Sequence, residues 1–321
     1  MNKELILREM TLNIDVINEA VFNTIINFDI RDINDLYNIR RFTEIINNHS
    51  KSIRSTKYKT KINNEKVKSY VKDFLGKLNI NYKEEFEYIK DNITYSKTLD
   101  NSLFKNETRQ IYLLNNNLFS DIYDLTHEFT HFLALPNKSM NDTSYLFGEA
   151  TSLFSEFILE DYLLSKRNLG EYKIENIRKL NSIYINNQIV DVQLKLIETF
   201  LDNGGIFKED IESIFKNYNY SDICIIKDSL FDVIEKYECL DIDESLRYSV
   251  GYVVACYMYD RIKIYGYKEF MELVENMDNY EIDEFLNYLD LELEDTIYLR
   301  LTDKSYQKLE ESFKKKIKRI G

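Results

Sequence analysis

The sequence predicts a mainly α-helical protein with a small β-sheet just before its most informative helix. The 321 residues include only 8 glycines and a single proline, and 44% of them are hydrophobic. Apolar residues repeat at a spacing of three to four along most of the chain, which is typical of amphipathic helices. One region, residues 84–115, instead contains short β-branched or aromatic segments bounded by Asn and Asp. The length suits one large domain or two lobes.

The first part of the chain, residues 10–80, is predicted to form several amphipathic helices, for example in IDVINEAVFNTIINF and INDLYNIRRFTEIINN. A polar, Lys-rich run, NHSKSIRSTKYKTKINNEK, separates them from the helix VKSYVKDFLGKL. We therefore expect an N-terminal helical lobe over residues 1–80 and a second region over residues 81–321. The two could equally form one continuous two-lobed domain.

Two segments of the central region, FEYIKDNITYS and TRQIYLL, are predicted to be strands. Helices return after Asn117, first over residues 120–135 and then over 144–166. A long helix follows in ENIRKLNSIYINNQIVDVQLKLIETFLDN and is ended by Gly204 and Gly205. Further helices are predicted over residues 207–217, 226–239, 244–265, 268–277 and 303–319.

Composition excludes several classes of protein. The N-terminus has no apolar core of a secretory signal, and no run of 18 apolar residues predicts a membrane span. Cys224, Cys239 and Cys256 are widely spaced, which is typical of reduced thiols in a cytoplasmic protein. The net charge of −13 argues against nucleic-acid binding, which needs basic surfaces.

The segment DLTHEFTHFLALPN holds two of the three histidines in the chain, four residues apart. Residues four apart lie on one face of a helix, so His127 and His131 can present two imidazole nitrogens to one zinc ion. Glu128 lies beside that face, where it can act as general base. Ser120 or Asp121 is expected to cap the helix. The alternative is an accidental pair of core histidines.

A third ligand is expected from LFGEATSLFSEF, where Glu149 and Glu156 share a helix face but stand about 10 Å apart, so only one can coordinate. Pro136 and the polar residues after it should turn the chain, which would pack the two helices antiparallel. In that register Glu149 faces His131, and Glu156 faces Asp124. Glu149 is the expected ligand. Glu156 and Asp124 are expected behind the ligands, where Glu156 would orient a histidine ring or brace the helical hairpin. An ordinary solvated carboxylate is the alternative for Glu156.

HExxH followed by a glutamate on a later helix is the pattern of the gluzincins. The metzincins instead carry a Gly and a His shortly after the second histidine, and FLALPN has neither. HEFTH followed by GEATSLFSEF resembles the oligopeptidase F and thimet oligopeptidase family, whose ligand helix matches here at Glu149, Ser152 and Glu156. LRYSVGYVVACYMYD resembles that family's Tyr-x-x-Gly-Tyr helix. The match implies that Tyr252, with Tyr248 one turn earlier, stabilises the oxyanion. Core packing is the alternative for both tyrosines.

The resemblance implies a zincin-like helical metallopeptidase with residues 81–321 as the catalytic region and one Zn²⁺ as cofactor. It implies a metalloendopeptidase that hydrolyses internal bonds of short or unfolded peptides, with a zinc-bound water and Glu128 as base. The chain departs from the family in its short loop between His131 and Glu149, in lacking a third histidine after HExxH, and in its length of about half the usual.

Two other functions fit the same residues: a dedicated processing protease for one partner protein or leader peptide, and a non-catalytic peptide-binding protein that keeps the zinc fold. Breadth of substrate would separate the first from a general oligopeptidase. The segment TRQIYLL is further expected to bind substrate by adding a peptide strand to its edge.

Overall fold

A computed structural model describes residues 3–30, 36–50, 60–99, 101–135, 140–165, 169–295 and 300–320. The predicted turn at Pro136 lies outside the described residues, as does the middle of the polar run, residues 51–59. Within the described ranges, no helix combines the length and apolar character that a bilayer crossing requires.

Helices dominate the described chain, and two small sheets accompany them, which confirms the predicted fold class. The α-helices are α1 (Lys3–Leu12), α2 (Ile14–Asn27), α3 (Tyr37–His49), α4 (Asn64–Leu78), α5 (Ile80–Ile89), α6 (Asp121–Ala134), α7 (Asp142–Ser165), α8 (Leu169–Asn203), α9 (Lys208–Ile214), α10 (Tyr220–Tyr237), α11 (Ile242–Tyr265), α12 (Tyr267–Asn276), α13 (Ile282–Tyr288) and α14 (Asp303–Ile320). The strands are β1 (Thr94–Ser96), β2 (Leu103–Lys105), β3 (Gln110–Leu114), β4 (Leu293–Asp295) and β5 (Arg300–Leu301).

The chain divides into two compact units by its internal contacts. Unit 1 comprises residues 1–52, 181–249 and 297–300, and unit 2 comprises residues 53–180, 250–296 and 301–321. The sequence-based division at residue 80 stays a prediction, because a division by contacts does not test which segments fold independently.

Unit 1 is helical, and its apolar core is built from α1, α2, the second half of α8, α9 and α10. The Lys3 ammonium ties the start of α1 to the turn after α9, because it donates to the carbonyls of Phe215, Lys216 and Tyr218 at 2.9, 3.0 and 2.9 Å. Helix α8 ends as predicted at Gly204, whose φ of +70° closes the helix in the left-handed conformation that glycine adopts at little cost.

Unit 2 contains the sheet that precedes α6, in the strand order β1-β3-β2. Strand β3 pairs in parallel with β1 and antiparallel with β2. The predicted strand FEYIKDNITYS is wrong over its first half, which is the end of α5, because Phe86 and Ile89 bury one face of a helix. The expectation of a free edge at TRQIYLL is also wrong, since β3 is the central strand and already pairs on both sides.

Arg109, in the turn between β2 and β3, holds the end of α6. Its guanidinium donates to the carbonyl of Phe132 at 2.7 Å and also to that of Leu135, and lies 4.3 Å from the centroid of the Phe132 ring. The last carbonyls of a helix have no partner within the helix, so a cation there supplies hydrogen bonds and complements the helix dipole.

We expect Arg109→Met to lower the free energy of unfolding by about 2 kcal/mol, because it removes two hydrogen bonds from a charged donor. Chemical denaturation followed by circular dichroism measures the change. Lys105→Met on β2 is the matched control, since Lys105 is exposed and its removal should cost less than about 0.5 kcal/mol. Equal losses for the two variants would contradict the capping role of Arg109.

Candidate metal centre

Helix α6 carries the HEFTH segment into the interior of unit 2. Phe129 is fully buried and packs edge-on against Phe86 of α5, with ring centroids 5.3 Å apart. Ser120 does not cap the helix as predicted, because its own backbone is helical (φ −56°, ψ −30°) and its side chain makes no cap hydrogen bond. Asp121 is instead the first helical residue, where a carboxylate suits the positive end of the dipole.

Three side chains from α6 and α7 converge on one point: His127, His131 and Glu149. Within the described part of the chain, they form the group that could hold a metal ion, with ligand atoms all within 4.8 Å of one another. Nε2 of His127 lies 3.1 Å from Nε2 of His131 and 3.3 Å from Oε2 of Glu149. Oε1 of Glu149 lies 3.6 Å from Nε2 of His131.

These separations fit a tetrahedral zinc ion. Two ligand atoms that each stand about 2.0–2.1 Å from such an ion are about 3.3–3.4 Å apart. The three observed distances, 3.1, 3.3 and 3.6 Å, bracket that value. Two imidazoles and one carboxylate are also a donor set that catalytic zinc sites use, with a fourth position left for water or substrate.

Glu156 lies behind this cluster on the same helix as Glu149, two turns further along. Its Oε1 accepts a hydrogen bond of 2.7 Å from Nδ1 of His127, on the side of the ring opposite Nε2. Its other oxygen contacts the ammonium of Lys179 on α8. Glu156 is 1% exposed, so the alternative of an ordinary solvated carboxylate does not describe its surroundings.

Asp124 lies one turn before His127 on α6 and forms an ion pair with Arg178, with Nη2 3.7 Å from Oδ1. Arg178 also binds both oxygens of the buried Glu175, with contacts of 2.6–3.2 Å. The roles of these two cations could not be predicted from the sequence, since a Lys or Arg in a long helix is usually solvated. The structure places Arg178 and Lys179 against α6 and α7 within unit 2.

Burial and ion pairing act in opposite directions on the carboxyl groups of the cluster. Burial raises the pKa of Glu128, and the two neighbouring histidines only partly offset it. Burial acts the same way on Glu149, but its interactions with His127 and His131 outweigh it and hold the pKa of Glu149 well below its usual range. Glu128 is therefore the carboxyl group here that holds a proton more readily.

The helix that carries the tyrosine motif, α11, approaches the ligand through Gly251, which the sequence analysis did not single out. A Cβ on Gly251 would lie 2.8 Å from Cβ of Glu149 and 3.1 Å from the backbone nitrogen of Ala150. Real Cβ atoms do not come so close, so only glycine allows the two helices to meet here. The position of this glycine within the tyrosine motif was the signal in the sequence that could have indicated the close helix contact.

The tyrosines of the motif differ in their surroundings. Tyr252 is 1% exposed and packs edge-on against Phe157 and Phe313, with ring centroids 5.4 and 6.0 Å apart. Tyr248 is exposed and belongs to unit 1. A role for either in stabilising an oxyanion stays a prediction of the resemblance.

No protein-family model matches the chain, and no curated protein matches its sequence. Two solved structures that share this fold are both described as peptidases. A complex of PZ peptidase A with an inhibitor superimposes with a TM-score of 0.58 at 13% identity, over 99% of this chain and 59% of that one. A structure described as an oligoendopeptidase F from Bacillus anthracis gives a TM-score of 0.55 at 12% identity, over 99% and 57%. The chain thus spans less than two thirds of the length of either.

We expect Gly251→Ala to lower the free energy of unfolding by about 1–3 kcal/mol, because the added methyl group forces α11 and α7 apart. The matched control is Gly148→Ala, in the same helix as Glu149, where a Cβ would come no closer than 3.9 Å to His131. That change should be neutral or stabilise by up to about 1 kcal/mol, since alanine favours helix. Chemical denaturation of both variants measures the change in the free energy of unfolding. No loss of stability in Gly251→Ala would disprove the close contact.

Proposed function

We propose that this protein is a zinc-dependent peptidase that hydrolyses internal bonds of short or unfolded peptides. The observation that carries the proposal is the convergence of His127, His131 and Glu149 at distances that suit zinc. Glu128, buried beside the two histidines in sequence, supplies the one further group that hydrolysis needs. The fold shared with two peptidases supports the same reading.

When bound, zinc supplies a Lewis acid that polarises the scissile carbonyl and lowers the pKa of water. The carboxylate of Glu128 takes a proton from the attacking water and returns it to the nitrogen of the leaving amine. A base whose pKa is raised toward neutrality suits both steps, because it must hold the proton between them. Glu149 stays ionised throughout, as a ligand must.

The peptide substrate class is proposed from the fold neighbours, one an oligoendopeptidase by its description. The same metal site would also serve a dedicated processing protease or a non-catalytic binder, and cleavage of a pool of unrelated peptides separates a general oligopeptidase from these two. The described cysteines, Cys224, Cys239 and Cys256, are all free thiols, in keeping with a reducing compartment. We accordingly propose a cytoplasmic location.

The metal site predicts that the purified protein binds about one zinc ion per chain and that His127→Ala abolishes tight binding, because two ligands no longer close a tetrahedral site. Metal content after dialysis against a weak chelator measures the stoichiometry. His49→Ala is the matched control, since His49 ends α3 in unit 1 and should keep the ion. Retention of zinc by His127→Ala would contradict the assignment.

The proposed base predicts that Glu128→Gln lowers kcat/KM by about 10²–10⁴-fold while zinc stays bound, because the amide cannot take the proton. A pool of unrelated quenched peptides measures the activity, and Glu84→Gln, an exposed glutamate on α5, serves as control. Cleavage of many peptides by the wild type supports a general oligopeptidase. No cleavage of the pool by the zinc-loaded wild type would disprove the general activity and favour a single-substrate protease or a binder.

A further inference from the structure

We propose that Lys179 is a positioning residue of the metal site: it holds Glu156 in the orientation that keeps His127 ready to bind the ion. The inference rests on the proposed metal site but not on peptidase activity. It starts from the contact chain that runs from α8 through α7 to α6, all within unit 2, as Lys179–Glu156–His127.

The two oxygens of Glu156 have different partners. Oε1 lies 2.7 Å from Nδ1 of His127, and Oε2 contacts Nζ of Lys179. Glu156 is 1% exposed and the side chain of Lys179 is 12% exposed, so bulk water has little access to either group. Each partner occupies one oxygen, and the plane of the carboxylate is thereby held at both ends.

The direction of the hydrogen bonds follows from the chemistry of the donors. Burial lowers the pKa of Lys179 to about 7, against the opposing effect of Asp124, so below that pH Lys179 is an ammonium group that forms an ion pair with Oε2 of Glu156 and cannot accept a proton from it. Paired with that cation, Glu156 is an ionised carboxylate with no proton to donate, so Nδ1 of His127 carries the proton of their hydrogen bond. The lone pair of the ring is then on Nε2, the nitrogen that lies 3.3 Å from Glu149 and 3.1 Å from His131.

Loss of Lys179 would therefore leave a buried acid with one partner and no charge to balance it. An uncompensated buried charge is costly, and the carboxyl group lowers that cost by rotating away from its present geometry. The His127 ring would then lose the bond that fixes its orientation. Loss of such an outer partner of a metal-binding histidine typically weakens metal binding about 10- to 100-fold.

A second buried ion pair on α7 provides a matched comparison. Glu160, one turn after Glu156, pairs with Lys316 of α14, and both side chains are buried. The Lys316 ammonium lies 3.8 Å from the centroid of the Phe157 ring. This pair has the same chemistry as Lys179–Glu156, with a lysine side chain that is 3% rather than 12% exposed, and among the described residues it does not contact a histidine. Lys316→Met thus reports the general cost of breaking a buried pair on this helix.

The test compares wild type, Lys179→Met, Lys179→Arg and Lys316→Met. Zinc affinity is measured by competition with a chromophoric chelator. We expect Lys179→Met to bind zinc about 10- to 100-fold more weakly, Lys179→Arg to recover most of the loss, and Lys316→Met to change affinity by less than about twofold. Wild-type affinity in Lys179→Met, or an equal loss in Lys316→Met, would overturn the proposal.

A second measurement reads the histidine directly in the metal-free protein. The chain has three histidines, so ¹⁵N-histidine spectra can resolve each ring. We expect a protonated Nδ1 on His127 in wild type and Lys316→Met, and its loss or exchange broadening in Lys179→Met. An unchanged His127 signal in Lys179→Met would overturn the proposal even if affinity fell.

The double variant Lys179→Met/Glu156→Gln removes both charges and covers the case in which the single variant does not fold. If Lys179 acts through Glu156, the double variant should bind zinc no more weakly than Glu156→Gln alone, and a further loss would count against it. A wild type that binds zinc but cleaves none of the peptides in the pool would refute the proposed general peptidase activity and leave this inference standing. A wild type that binds no zinc would refute both.

Discussion

Buried carboxyl groups are the constraint on which unit 2 depends. Helices α6 and α7 place four glutamates in a low-dielectric interior, and a fifth follows on α8; these are Glu128, Glu149, Glu156, Glu160 and Glu175. An isolated buried carboxylate is too costly to keep, so each must have a cationic or hydrogen-bonding partner. His127 and His131 contact Glu149 and stabilise the charge of Glu128 electrostatically, and each of the other three contacts a cation from another turn or another helix.

This requirement explains features of α8 and α14 that have no other evident cause. The adjacent cations of α8, Arg178 and Lys179, each contact a carboxylate close to the HEFTH segment. At the end of the chain, α14 looks like a solvated basic helix, yet one of its lysines, Lys316, is 3% exposed and pairs with Glu160. The stability of α7 and the geometry of the metal site therefore share one electrostatic framework.

The sequence predicted what depends on local spacing. The bounds of α6 and α7 agree with the structure to within two residues, and the placement of Glu149 beside both histidines follows from pairing the two helices. Helix α8 ends just before Gly204, as predicted from the conformational freedom of glycine. These features are fixed by contacts between residues that are close in sequence, or between two helices that follow one another closely in the chain.

Features that depend on distant pairing were not predictable from one sequence. FEYI reads as strand because aromatic and β-branched residues favour sheets, but burial against α6 made it helix. TRQIYLL forms the strand between β1 and β2. This strand order cannot be predicted from the apolar pattern. The cations on α8 were missed for the same reason, since the pattern of a long helix does not show which lysine faces a buried acid.

Gly251 has a consequence for how this site can change over generations. The backbone at Gly251 lies against the β-carbon of residue 149, an atom that every residue with a metal-binding side chain possesses. Replacing Glu149 with a different ligand would therefore not relieve the crowding. Substitution of Gly251 by any other residue is therefore excluded as long as the two helices keep their spacing. The demand for glycine at position 251 comes from helix packing and not from the metal, so a lineage that lost the ion would still need this glycine while the helices stay in contact.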